Sequence, residues 1–167
     1  MGPAPVQPFE QPFGFEPSFD GRWWEAKEPC PRDSKLFGGA PPDAHIVWCQ
    51  RRGDKHGPYT DWYTNGRKAF EGAFVDGEKH GFWLRWWETG QVAHVGGWLE
   101  MGELRGRWTF YNDDGTMARI AQWDPELEEF VTIVWGVYRE EPWQRRARER
   151  DMLADAGREP QPADAGP

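Results

Sequence analysis

Long apolar runs are missing from this sequence. None approaches the roughly 20 residues that cross a bilayer as a helix, so no transmembrane helix is expected. Cations are in deficit: 20 Lys and Arg stand against 28 Asp and Glu, for a formal net charge of −8. General nucleic-acid binders gain their affinity from Lys and Arg on phosphates, so this balance argues against that class. It argues equally against an anionic lipid surface unless a local basic patch is present. Cysteine is nearly absent, with only Cys30 and Cys49, and their spacing fits no zinc motif. In a reducing compartment they are two thiols; in an oxidising one they are a possible disulfide pair. The first residues, MGPAPVQPFEQPFGFEP, lack a basic start followed by an apolar stretch. As written the chain reads as cytoplasmic. With a signal removed and Cys30 bridged to Cys49, the alternative is the periplasm or the cell surface.

Chemical signatures are missing too. HExxH, CxxC, Walker, GxSxG and GxGxxG patterns do not occur. No catalytic residue, metal ligand or cofactor is assigned, and an enzyme is not expected. Aliphatic residues are scarce, with a mean hydropathy of −0.88. The apolar surface must therefore come from the 12 Trp and 10 Phe, large rings that each bury roughly 150–250 Å². Twenty Gly and 15 Pro point to many turns and few long helices.

These residues are organised as a repeat. HGPYTDWYTNG at 56–66, HGFWLRWWETG at 80–90 and RGRWTFYNDDG at 105–115 align on paired glycines. Tyr59, Trp83 and Trp108 correspond, as do Trp62, Trp86 and Tyr111. The second halves align Phe74, Trp98 and Trp123, with one extra residue in the middle unit. Each unit has the ring content of a strand, a glycine turn and a returning strand. Asn65-Gly66 is the strongest signal, read as a type I′ hairpin turn; Gly90 and Gly115 mark its counterparts. Gly77 and Gly102 turn the chain into the next unit. Alternation puts Tyr59 and Tyr63 on one face with Trp83 and Trp87, and Trp62 and Trp86 on the other. Gly57, Gly81 and Gly106 are expected to keep the backbone clear beneath neighbouring rings. His56 and His80 share one repeat position before Gly, which points to turn structure rather than catalysis. The expected fold is all-β: tandem hairpins in an elongated twisted antiparallel meander, stabilised by columns of rings.

The pattern resembles the MORN-type repeat, and more closely a bacterial variant with a Gly-x-Trp-x-x-Trp-Tyr-x-Asn-Gly core. Gly81, Trp83, Trp86 and Trp87 carry the resemblance, with Asn65-Gly66 in the preceding unit. It covers residues 56–124, and a degenerate leading unit is expected at 34–55, around Gly38, Gly39 and Trp48. Proteins of this type are often labelled antitoxins of toxin–antitoxin pairs; others act as scaffolds, and some eukaryotic relatives are linked to membranes or lipids.

The flanks differ from the repeat domain, which is expected at 34–138. Residues 1–33 interleave Pro3, Pro5, Pro8, Pro12 and Pro17 with Phe9, Phe13, Phe15 and Phe19. Proline removes backbone donors and fixes φ, so the segment reads as an extended or disordered tail, or as a peptide that docks rings on its own or a partner's sheet. Residues 127–138 read as a strand closing the sheet edge. Residues 139–157 read as a short helix carrying Arg145, Arg146, Arg148 and Arg150, and 158–167 as a disordered tail.

Function is expected to be protein binding, with another protein as partner; the acidic charge suits a basic one. The anchors proposed are Tyr59, Tyr63, Trp83, Trp87, Trp108, Phe9, Phe13 and Phe15, because aromatic residues are favoured at interfaces. The alternatives are a structural subunit held by its N-terminal Phe/Pro segment, and a membrane- or lipid-associated protein using the Arg stretch. Self-association stays open.

Overall fold

The computed structural model describes residues 11–137. The Phe9 anchor, the helix expected at 139–157 and its Arg stretch lie outside them. Nine strands follow one another: β1 Lys35–Gly39, β2 Ile46–Arg51, β3 Asp54–Trp62, β4 Lys68–Val75, β5 Glu78–Trp86, β6 Val92–Glu100, β7 Glu103–Tyr111, β8 Met117–Asp124 and β9 Glu129–Trp135. They form one antiparallel sheet in chain order, a meander that does not close on itself. The leading unit is the hairpin β1–β2, with Trp48 in register with Tyr59.

Two kinds of turn alternate along the meander. At Arg52-Gly53, Asp76-Gly77 and Met101-Gly102 both residues have positive φ, the requirement of a type I′ turn. At the other end only Gly66, Gly90 and Gly115 do. There Gly66 N–H donates to the Tyr63 carbonyl and Tyr63 N–H to the Arg67 carbonyl, so the loop is wider than the two-residue turn expected at Asn65-Gly66. Asn65 serves it by side chain instead: Oδ1 accepts from Arg67 N–H, and Nδ2 donates to the Glu88 carbonyl of the next unit. His56 and His80 play the structural part expected of them. Each Nδ1 accepts the N–H of the first positive-φ residue of a type I′ turn, Asp76 at 3.0 Å and Met101 at 3.1 Å.

One face carries the rings. Trp83, Leu99 and Trp108 form its buried centre, with Tyr59, Phe70, Phe74, Leu104, Phe110 and Phe130 packed against them. Contacts are mainly edge-on, as the ring quadrupole prefers: Phe74 meets Trp83 at 5.1 Å and Trp108 meets Phe130 at 5.9 Å. Leu99, not Trp98, takes the place of Phe74 in the middle unit. Phe74 pairs with Lys79 and Leu99 with Leu104, the same positions before the His-Gly and Arg-Gly steps. The extra residue is absorbed where the register slips between Gly96 and Trp98.

Trp83 lies flat on Gly72, where an added Cβ would fall 2.2 Å from the ring. The φ of Gly72 is outside the left-handed region, so Gly72→Ala tests packing alone. It should lower the unfolding free energy by about 1–3 kcal/mol through overpacking. Urea unfolding followed by Trp fluorescence measures this, and an unchanged midpoint would show that the ring steps aside freely.

The other face is covered over β2–β5 by residues 11–33, hereafter the strap. This segment has short 3-10 turns at Pro12–Gly14 and Trp23–Glu25. Its rings dock on its own sheet: Phe13 on His56, Phe19 on Trp86 and Trp24 on Trp62. Glycines receive it. A Cβ on Gly57 would meet Pro31 at 2.6 Å, and one on Gly81 would meet Pro12 at 2.7 Å. Of the three glycines expected beneath rings, only Gly106 has one, that of Trp98.

A buried polar network locks the strap down. Glu71 is 1 % exposed and Lys68 7 %, and their charged groups are 2.5 Å apart. Glu71 also accepts from Ser18 N–H and from the Thr60 hydroxyl, both at 2.7 Å. Lys68 donates to the Ser18 and Gly21 carbonyls, and Trp23 Nε1 donates to Thr60 Oγ1. Cys30 and Cys49 are joined as a disulfide, which overrides the reading as two thiols.

Candidate functional site

Seven of the eight proposed anchors lie among the described residues, and the structure separates them. Trp83 and Trp108 are 5 % and 3 % exposed and build the core, so they have no surface to offer a partner. Tyr63 and Trp87 sit in the wider turns and tie unit to unit. Tyr63 hydroxyl donates to the Trp86 carbonyl at 2.7 Å, and Trp87 Nε1 to the Tyr111 carbonyl at 3.0 Å. Asn112 continues this series, donating to the Val137 carbonyl. Phe13 packs on His56 and Phe15 on Trp23, both within the strap's own contacts. Only Tyr59 is half-buried on the ring face, and the strap contacts named above all fall on the opposite face.

The ring face holds a set of side chains that alignment of the units did not single out. Register places Asp61, Phe70, Arg85, His94, Phe110, Arg119 and Trp135 side by side from β3 to β9. Over six strand spacings this row runs about 29 Å. Cations cover the rings. Arg85 lies 5.5 Å from Phe70 and 5.3 Å from Trp87; Arg119 lies 4.8 Å from Phe110. Lys79 sits 4.7 Å above Trp83, and Lys55 5.3 Å above Phe74. Such contacts are favourable because the ring faces carry the negative part of the quadrupole. Among the described residues, none of these four cations is ion-paired to a carboxylate within 4.0 Å. The face is therefore locally basic on an acidic chain.

Asp61 is the one acid of the row, at its β3 end. Burial raises its pKa, while hydrogen bonds from the Tyr59 hydroxyl at 2.7 Å and Phe70 N–H at 3.1 Å oppose the rise. Tyr59 is in turn held protonated well above its usual range, by burial first and then by Asp61. Beside Arg85, His94 packs on Trp108 at 5.0 Å. Burial, and then the charges of Arg85 and Lys79, lower its pKa to about 4. Arg85 Nε and His94 Nδ1 are both buried without a hydrogen-bond partner among the described residues.

A lowered histidine pKa has a definite sign. Between its ordinary value of 6.5 and about 4, the unfolded chain takes up a proton that folded His94 refuses. Stability should therefore fall as pH drops through that window, and the loss should be complete near its lower end. Denaturant midpoints of wild type and His94→Gln over this range test it. The variant should show a shallower pH slope, and identical slopes would assign the dependence to other groups.

A signal for this row does exist in the sequence. Positions that build the sheet repeat their chemistry from unit to unit: the glycines, and the rings at Tyr59, Trp83 and Trp108. Row positions change it, as Asp61, Arg85 and Phe110 do, and as Phe70, His94 and Arg119 do. Variation within a repeat marks positions whose chemistry the repeat itself does not fix. No helix among the described residues is long and apolar enough to cross a membrane. Compared with protein-family models and with curated proteins, the chain matches none.

Proposed function

We propose that this chain is a non-enzymatic protein-binding module of tandem β-hairpin repeats, acting as an antitoxin- or immunity-like partner or as an assembly scaffold. One observation carries the reading: the two faces of the sheet are unequal. Over β2–β5 one is occupied by the chain's own strap. The other holds half-buried Tyr59, Phe70, Phe110 and Phe130 with Arg and Lys above them, and no strap among the described residues. Aromatic and Arg side chains are the favoured anchors of interfaces. Membership of the MORN-type family belongs to the same proposal. It rests on Gly81, Trp83, Trp86 and Trp87 with Asn65-Gly66, and accords with the hairpin meander. The turn-bonding roles of His56 and His80 support a non-enzymatic part. The Cys30–Cys49 bridge favours an oxidising compartment, periplasmic or at the cell surface. The structural-subunit alternative is weakened where Phe13, Phe15 and Phe19 pack against their own chain.

Photo-crosslinking in the native cells tests the reading. A benzophenone amino acid replacing Lys79, on the ring face, should yield one protein adduct of defined mass. The same probe replacing Arg107, on the opposite face of β7, should yield none. Equal labelling from both positions, or none from either, would count against a ring-face interface.

A further inference from the structure

We infer that the ring face takes an extended acidic peptide, whose carboxylates meet Arg85 and Arg119 across the strands. The inference rests on the protein-binding reading and gives the partner's chemistry, an acidic segment rather than a basic one. The first ground is charge complementarity. Lys55, Lys79, Arg85 and Arg119 stand over rings on one face; Asp61 acts on Lys55 and Lys79 from beyond 4.0 Å, and neither arginine is ion-paired to a carboxylate among the described residues. The second is an incomplete site at the centre of the row. Arg85 and His94 face each other across β5 and β6, and Arg85 Nε and His94 Nδ1 have no hydrogen-bond partner among the described residues. Arg85 Nε is a donor without an acceptor among the described residues, and a carboxylate is the acceptor a guanidinium binds best.

The same geometry disfavours a nucleic acid. Bases bind sheets of this kind by stacking on open ring faces. Here the ring faces are covered by cations, and the ring edges are turned on one another. A carboxylate needs no ring face. It bonds the guanidinium while the guanidinium stays on its ring.

Register also sets the spacing. Arg85 on β5 and Arg119 on β8 are three strands apart, roughly 14 Å at the usual strand separation. An extended peptide crossing the strands covers that distance in about four residues. Residues four apart in an extended chain point the same way, so both carboxylates face the sheet. Asp61, at the β3 end of the row, repels a further acid there and sets the polarity of the row.

The test uses the full-length protein and a fluorescein-labelled peptide Gly-Glu-Ser-Thr-Ser-Glu-Gly, read by fluorescence anisotropy. Binding should be saturable and weakened by salt. Arg85→Gln and Arg119→Gln should each weaken it about tenfold or more, as loss of a charge-assisted bond does. Arg107→Gln, on the opposite face, should leave it unchanged, and circular dichroism of each variant separates lost contacts from lost folding. Four outcomes overturn the inference: no saturable binding, equal binding of the Lys-for-Glu peptide, equal loss in Arg107→Gln, or preferential binding of single-stranded oligonucleotide or phosphatidylserine vesicles. The crosslinking result keeps the two claims apart. If the Lys79 probe captures a protein through a basic segment, the binding-module reading stands and the acidic-peptide inference falls. If it captures nothing, the reading itself falls.

Discussion

Glu71→Ala should lower the unfolding free energy by about 3–5 kcal/mol, because removing one partner of a buried pair strands the other's charge. The stranded group is Lys68, 7 % exposed, which keeps only carbonyl acceptors and the rings of Trp24 and Trp86. Ser18 N–H and the Thr60 hydroxyl lose their acceptor in the same step. The strap should loosen before the sheet unfolds, so trypsin should cut at Arg22 and Lys27 faster than in wild type. A second variant separates charge from strap anchoring. The middle unit has Val92 and Val95 at the positions of Lys68 and Glu71. Lys68→Val combined with Glu71→Val should recover part of the lost stability, since no charge is left unpaired. It should not restore trypsin resistance, because the strap's backbone groups still lack partners. A Glu71→Ala protein with wild-type denaturation midpoint and digestion rate would remove the network from its anchoring role.

Loss of the Cys30–Cys49 bridge should be the second large effect. The bonded residues are 19 apart in sequence, and loop-closure entropy for a ring of that size is about 3 kcal/mol. For a chain of this length that corresponds to a fall in Tm of roughly 6–12 °C. The bond ties the strap to β2 next to Pro31, which itself seats on Gly57. Cys30→Ser with Cys49→Ser and dithiothreitol treatment of wild type should agree, which guards against an effect of the buried Ser alone. Bridge and network act on one strap, so their effects should couple. Removing both should cost more than the sum, because either lock alone keeps the strap close enough to rebind. Scanning calorimetry with and without reductant decides it, and no shift in Tm would mean that the bridge contributes nothing to the folded state.

Much of the fold was legible because hairpin arrays write their physics locally. Paired glycines, a ring between them and a period near that of two strands are enough to specify a meander. The neighbour-to-neighbour order of β1–β9 follows from short turns that allow nothing else. Turn type was less legible. Asn65-Gly66 is a strong type I′ signal, yet the Asn65 side chain bonds into the next unit and the loop opens wider. Asp76-Gly77 and Met101-Gly102 take that geometry instead. The anchors were the weakest point. A Trp has the same appearance in sequence whether it fills the core, as Trp83 does, or bonds a neighbouring turn, as Trp87 does.

By itself, then, the sequence determined the local elements: where strands run, where they turn and which rings stack, since each depends on residues a few positions apart. Which face the strap covers was decided only by tertiary structure. That choice depends on where residues 11–33 come to rest, and their lock joins Ser18 to Glu71, 53 positions away. Contacts at such separation leave no periodic trace, because they occur once and not once per unit. The row Phe70, Arg85, His94, Phe110 and Arg119 across β4–β8 does recur once per unit, but its chemistry changes from unit to unit. Its members are far apart along the chain and become neighbours only when the strands pair.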